Sequence, residues 1–309
     1  MSFGAELKSE LCEAAWAVRE ERERWAQTYG LLLFARSFSS GRAVFTSEWE
    51  PAAELAAAGM AELSGRVVPI ERQQRQGRGT RYRVSFPREL GAELLAAFGH
   101  VPGEITLRLR RENIGEDPRA VWAFLRGAFL ACGSMSDPAG RYHLEYRVPF
   151  KRLSEDLGEE LLRVGIHMGT VTRRGAYLLY LKDSAPIEEM LTAMGALRSA
   201  FRLMDVKIYK DVRNKANRVR NCETANIDKT VTASLSQVEA IELIAAKRGL
   251  DTLPEELRAI AALRLENPEM SLRELGQALS PPLSRSGVNH RLRRLGALAE
   301  ELREDGRRG

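Results

Sequence analysis

The run SRSGVNHRLRRL at residues 284–295 carries side chains whose types and spacing suit contact with nucleic acid. At helical period Val288, Leu292 and Leu295 fall on one side, which turns Ser286, Asn289, His290 and Arg293 outward and sets Arg291 and Arg294 on the flanks. Arginine can make paired hydrogen bonds to guanine and asparagine to adenine, while serine and flanking arginine suit phosphate. From Pro281 through Leu298 there are four arginines and no acid. A helix that is apolar on one face and positive on the other is what reading a major groove requires. The competing reading is that these arginines only solvate the outer face of a helical bundle.

The elements that must position this helix are legible nearby. Ser271 followed by Glu274 forms a capping-box pattern that starts a helix over SLRELGQAL, with Leu272, Leu275 and Leu279 on one face. SPPLS stops that helix, because proline lacks an amide donor, and Ser284 or Ser286 caps the next one. A helix-turn-helix results. The candidate DNA-binding set is Ser271, Ser284, Arg285, Ser286, Gly287, Asn289, His290, Arg291, Arg293 and Arg294. Upstream, SLSQVEAIELIAAKRG reads as a helix from a Ser cap to Gly249, and PEELRAIAALRLEN as another, so residues 235–309 are expected to form an all-helical domain.

Composition sets wider bounds. The 309 residues are 44% apolar and 29% charged, with a formal net charge of +5, which suits a globular chain of two or three compact units. The basic balance favours nucleic acid only modestly, since both signs are interspersed. The start, MSFGAELKSELCEAAW, lacks the pattern of a secretory signal, and no apolar run reaches the roughly 20 residues that span a bilayer, so a cytoplasmic protein is expected. Cys12, Cys132 and Cys222 form no C-x-x-C pair, and His100, His143, His167 and His290 show no ligand spacing, so neither a bound metal nor a disulfide framework nor any other cofactor is expected.

A repeat runs through the first two thirds, at an offset of about one hundred residues. The first copy, about 1–100, predicts a helix over Trp25 to Phe34 with Gly30, a strand at Ala43 to Thr46, a helix at Pro51 to Leu63, and a strand at Val67 to Ile70. The turn QGRG, the strand RYRVSFP and a helix from Glu89 to Phe98 complete it. The second, about 101–204, predicts a helix over Pro118 to Ala131 with Gly127, a strand at 142–148, a helix at Leu153 to Arg163, and a strand at Ile166 to Val171. The turn RRGA, the strand YLLYLKD and a helix from Pro186 to Phe201 close it. Alternating strands interleaved with helices predict an α+β two-repeat domain over 1–204 with antiparallel sheets. Residues 205–234, polar and rich in Asn, Lys and Arg, read as a basic connector with a helical beginning.

The connector RNKANRVRNCETANIDKT, the stretches RGAFLACGS and PEELRAIAALRLENPE, the opening MSFGAELKSEL and SLRELGQALSPPLSRSGVNHRLRRL together resemble the WhiA family of bacterial regulators, end to end along the chain. The resemblance implies a LAGLIDADG-like domain followed by a helix-turn-helix domain. It further implies a DNA-binding protein acting in cell division and chromosome segregation, and in sporulating actinomycetes a transcription factor. Double-stranded DNA is the implied partner, beside protein partners in division or transcription, with no membrane insertion.

In LAGLIDADG nucleases two helices pack through small residues, and each presents an acid at the eighth position of the motif to hold divalent metal. Here Ala120, Ala123, Gly127 and Ala131 keep the packing face, but the eighth positions hold Cys132 and, anchoring on Gly30, Ala35 followed by Arg36. A thiol or a methyl cannot ligate a hard cation, so no catalytic residue is assigned and no enzyme is expected. Asp137 is the nearest acid in sequence, and Cys132 is read as a packing residue. Arg72, Arg75, Arg78, Arg81 and Arg83 in the first hairpin, with Arg173 and Arg174 in the second, are either DNA contacts or solvated charge. The same holds for Lys207, Lys210, Arg213, Lys215, Arg218 and Arg220 in the connector. A residual metal-dependent endonuclease and a protein-interaction scaffold remain the alternatives to a DNA-binding regulator.

Overall fold

The computed structural model describes residues 2–39, 42–75, 79–85, 88–101, 104 and 107–308. Two compact units follow one another, Met1–Lys210 and Asp211–Gly309.

The first unit holds the α+β repeat that the alternating strands predict. Its elements are α1 (Phe3–Trp16), α2 (Glu21–Leu33), β1 (Ser37–Ser39), β2 (Arg42–Ser47), α3 (Glu50–Ser64), β3 (Ile70–Arg75), β4 (Gly79–Ser85) and α4 (Arg88–Ala97). After a 3-10 turn at Arg111–Asn113 come α5 (Pro118–Cys132), β5 (Gly133–Met135), β6 (Leu144–Val148), α6 (Lys151–Arg163), β7 (Gly169–Arg173), β8 (Ala176–Leu181) and α7 (Ser184–Ala193). The sheets share one antiparallel topology, β1-β2-β4-β3 and β5-β6-β8-β7. In each, one face is buried under helices. Phe45, Tyr82 and Val84 face inward in the first and Leu144, Tyr146, Leu179 and Leu181 in the second, while Thr46, Arg81 and Arg83 stand on the opposite face of the first.

α2 and α5 make the most extensive helix-helix contact among the described residues, and glycine is what permits it. A Cβ on Gly30 would lie 2.2 Å from the carbonyl oxygen of Phe124, and one on Gly127 would lie 2.1 Å from that of Gln27. The small-residue face read from Ala120, Ala123 and Gly127 is therefore a backbone-to-backbone seam.

Several boundaries differ from the sequence reading. β1 and β5, each three residues long, give no measurable period, and neither is predicted. The strand placed at 67–70 starts only at Ile70, because Pro69 fixes φ and lacks a donor; Val67 stays exposed. Its counterpart β7 likewise begins at Gly169, beyond His167 and Met168. Residues 76–78 of the QGRG turn and Pro87 lie outside the described residues. The helix expected from Pro186 to Phe201 breaks at Gly195, whose φ of 92° favours glycine, and a new helix begins at Leu197.

That helix, α8 (Leu197–Lys247), runs 51 residues and takes in the whole stretch read as a connector. No glycine or proline interrupts it, but its many Asn, Thr and Val are weak helix formers, so propensity does not reveal the helix in the sequence. Its start is fixed by α1: Glu10 accepts hydrogen bonds from the Arg198 amide (2.6 Å), the Ser199 amide (2.9 Å) and the Ser199 hydroxyl (2.7 Å). The Ser cap expected near residue 235 is absent, since the backbone there is already helical.

The second unit is all-helical, as its periodicity predicts. The end of α8 packs with α9 (Glu255–Glu266), α10 (Leu272–Ala278) and α11 (Arg285–Arg308) around Ile241, Ile244, Ile260, Leu275, Val288, Leu292, Leu295 and Ala299.

Candidate nucleic-acid interface

The turn between α10 and α11 sets the angle of the candidate reading helix. Ser271 caps α10 as a full capping box: its hydroxyl accepts from the Glu274 amide (3.3 Å) while Glu274 accepts from the Ser271 amide (2.8 Å). The Ser271 amide first, and the Ser271 hydroxyl after it, hydrogen-bond the Glu274 carboxylate and hold it below its ordinary pKa. The chain then folds back so tightly that the Leu283 amide donates to the Gly276 carbonyl (2.8 Å). A Cβ on Gly276 would stand 2.3 Å from the Leu283 oxygen. Gly276 is thus a requirement of the turn that the leucine pattern gave no reason to suspect.

Ser284 caps α11. Its Oγ accepts from the Gly287 amide (3.2 Å) and shares a 2.9 Å contact with the Ser286 hydroxyl. Val288, Leu292 and Leu295 are buried against the core, which leaves Arg285, Ser286, His290 and Arg293 exposed. Gly287 is half-buried.

Asn289, read as outward, sits differently, and the flanking Arg291 and Arg294 are engaged by a neighbouring helix. Asn289 is half-buried and lines a concave pocket shared with α8. Arg291 and Arg294 both turn to one carboxylate on α9, Glu256, at 3.4 Å and 2.8 Å. Glu256 lies 35 residues upstream of Arg291 on a different helix, and sequence spacing on α11 alone could not reveal it.

In the first unit the surface arginines are partly engaged. Arg72 lies over the Tyr82 ring and Arg83 stands 4.0 Å from Glu71. Arg173 and Arg174 are exposed; Arg78 and the side chain of Arg75 lie outside the described residues. Of the basic residues on α8, Lys207 pairs with Glu188 (3.2 Å), Lys210 donates to the carbonyls of Pro138 and Gly140, and Arg220 donates to Asn217. Arg213, Lys215 and Arg218 are exposed and make no ion pair among the described residues.

The lower end of the α2–α5 seam is where a nuclease would hold its metal. Ala35 is buried just beyond α2 and Cys132 is the last residue of α5. Cys132 is half-buried, and desolvation pushes its thiol up to about 12, against the pull of the nearby Lys8 ammonium, which favours the protonated form at neutral pH. Arg36, Cys132, Ser134, Glu145 and Arg147 line a pocket of about 550 Å³ there. The acid at this pocket is Glu145, brought in by β6 and hydrogen-bonded to His143 (3.0 Å) and Ser134 (3.4 Å). Asp137 is elsewhere, exposed in the β5–β6 turn and bonded to the Ala139 amide. The sequence order of acids misled here because the hairpin carries Glu145 back to Ser134, its register partner. Among the described residues no cluster of three or more His, Cys, Asp or Glu could hold a metal ion, and no helix is long and apolar enough to cross a membrane.

Comparison with known proteins places these two units in one context. Residues 121–213 match the model of the WhiA LAGLIDADG-like domain, and residues 216–299 that of the WhiA C-terminal HTH domain. A probable cell division protein WhiA from Clostridium perfringens is 35% identical over 315 residues, spanning 98% of this chain and 99% of that protein. Its namesake from Carboxydothermus hydrogenoformans is 44% identical over 213 residues, 68% of each chain. The crystal structure of full-length DUF199/WhiA from Thermotoga maritima matches with a TM-score of 0.56 at 27% identity, covering 97% of this chain and 99% of that one.

Proposed function

This chain belongs to the WhiA family, and from that premise we propose that it is a DNA-binding regulator of cell division that holds DNA without cutting it. The observation that supports this reading is α11: an apolar seam of Val288, Leu292 and Leu295 seated on the core, with Arg285, Ser286, His290 and Arg293 presented opposite. A capped helix after a tight turn, positive on its free face, suits insertion into a major groove. Ser271, Ser284 and Gly287 shape the helix ends, and Arg293 and Asn289 are the candidates for base edges. Roles in chromosome segregation or as a transcription factor, association with the nucleoid, and the domain limits 1–204, 205–234 and 235–309 belong to the same proposal.

Absence of cutting is supported by chemistry at the seam. Metal-dependent hydrolysis uses paired carboxylates, and here the motif positions are Ala35 and a protonated Cys132, with Glu145 a lone acid already bonded to His143 and Ser134.

The test is a duplex titration with the full chain at rising salt, paired with incubation of supercoiled DNA with magnesium or manganese. Binding that weakens steeply with salt, without nicking, is expected. No binding at low salt would favour the protein-interaction scaffold, and nicking that tracks the protein through purification would favour the nuclease.

A further inference from the structure

Within the second unit, α8 crosses beside the helix-turn-helix and closes a pocket of about 460 Å³. Its charged walls are Lys229 from α8, Arg264 from α9, Arg273 from α10 and Arg285 from α11, and no acid lines it. Gln237 and Asn289 add amide side chains. Four cations from four helices converge there without a lining carboxylate; Lys229, Arg273 and Arg285 are exposed, so water screens their repulsion, and the buried Arg264 is the charge that needs an anion.

Arg264 marks the site as built. It is only 2% exposed, no carboxylate stands within ion-pair distance of it among the described residues, and Glu269 acts on it only from further away. One nitrogen holds the α9–α10 loop through the carbonyls of Met270 (2.6 Å) and Pro268 (3.2 Å), and its Nε has no partner. A buried guanidinium without an acid is destabilising unless something negative completes its surroundings.

We propose that this pocket is a phosphate site, in which Lys229 and Arg273 contact the oxyanion and Arg264 supplies buried positive charge behind them. Arg285 and Asn289 belong both to the pocket and to the α11 face, so a phosphodiester of the DNA that α11 reads would reach it. This source rests on the DNA-binding reading, whereas a free phosphate group would satisfy the same chemistry without it. In the DNA case α8 acts as an additional backbone clamp, setting the register of α11 without reading sequence.

Two arms of one experiment separate the sources. In the first, the full chain is titrated with duplex DNA across a salt series. Lys229→Gln and Arg273→Gln should each flatten the log–log salt slope by about 1 and weaken all duplexes alike, and Lys229→Arg should restore it. Both residues are exposed at the pocket rim, so the variants keep the fold. In the second, without DNA, inorganic phosphate and pyrophosphate are tested for thermal protection against chloride of matched ionic strength. Protection lost in the double variant supports the site with a free phosphate as occupant, even if no duplex binds. Unchanged salt slopes together with equal protection of wild type and double variant would overturn the proposal, while leaving the α11 reading to stand on its own duplex titration.

Discussion

Gly30 of α2 and Gly127 of α5 lie within one backbone-to-backbone contact, and at each the backbone of the opposing helix fills the space a side chain would need. Added Cβ atoms would fall 2.2 Å and 2.1 Å from carbonyl oxygens. Backbone cannot yield as a flexible side chain does, so the two helices would have to separate along the whole seam. Gly127→Ala is expected to destabilise the first unit by ~3 kcal/mol, the upper range for overpacking. Gly287→Ala, whose added Cβ would meet nothing closer than 3.5 Å, should leave stability within ~1 kcal/mol. Urea melts of the two variants check the contrast; equal midpoints would mean that the seam is not close-packed.

The thiols near that seam give a pH prediction. Burial pushes Cys12 and Cys132 each up to about 12, opposed in both by the Lys8 ammonium, while Cys222 is exposed on α8. A raised thiol pKa contributes stability that is fully present below the ordinary value of 9.0 and is lost as pH climbs towards 12. Alkylation at mildly alkaline pH should therefore label Cys222 first, half-buried Cys132 slowly through its pocket, and Cys12 only as the protein unfolds. Stability of the first unit should fall along an alkaline limb that Cys12→Ala makes shallower. Rapid labelling of Cys132 in the folded chain, read by peptide mass spectrometry, would contradict its protonated state.

Much of this architecture was legible because it is periodic. The alternation in RYRVSF and YLLYL, the leucines of SLRELGQAL and the Ser271–Glu274 spacing each report a local rule, and each element forms where its rule places it. What escaped depends on contacts distant in sequence. α8 is polar on nearly every side, so no period separates helix from connector, and β1 and β5 are too short to alternate. At the interface the outward set on α11 follows from helical geometry, but the capture of Arg291 and Arg294 by Glu256 needs the fold of α9 against α11. Glu145 reaches the pocket beside Cys132 only through strand pairing.

The capping box at Ser271 should show in both stability and acid sensitivity. Ser271→Ala removes the hydroxyl that accepts the Glu274 amide and is expected to cost ~1 kcal/mol. Glu274 has a lowered pKa, so its contribution is present above the unfolded carboxyl value and lost as pH falls through the folded one. The stability gap between wild type and Glu274→Gln should accordingly close in acid, as followed by thermal melts across pH. A gap that stays constant to low pH would show that the carboxylate charge plays no part in the cap.

Glu256 divides the arginines of α11 into two groups with different expected behaviour on DNA. Arg293 is exposed and makes no ion pair among the described residues, whereas Arg291 and Arg294 share the Glu256 carboxylate. Arg293→Ala should cost ~1–3 kcal/mol on a preferred site and relax choice of sequence, the signature of a lost base contact. Arg291→Ala removes a cation that is already neutralised by its partner, and should weaken all duplexes alike and only slightly. Glu256→Gln frees both side chains at once. It should tighten binding to every duplex and steepen the log–log salt slope by about 1 to 2 as the released guanidinium groups find phosphates. Anisotropy titrations of these three variants at several salt concentrations, on a preferred and an unrelated duplex, make the comparison. An unchanged slope in Glu256→Gln would place Arg291 and Arg294 away from the DNA backbone, leaving their pairing with Glu256 as a tie between α9 and α11 alone.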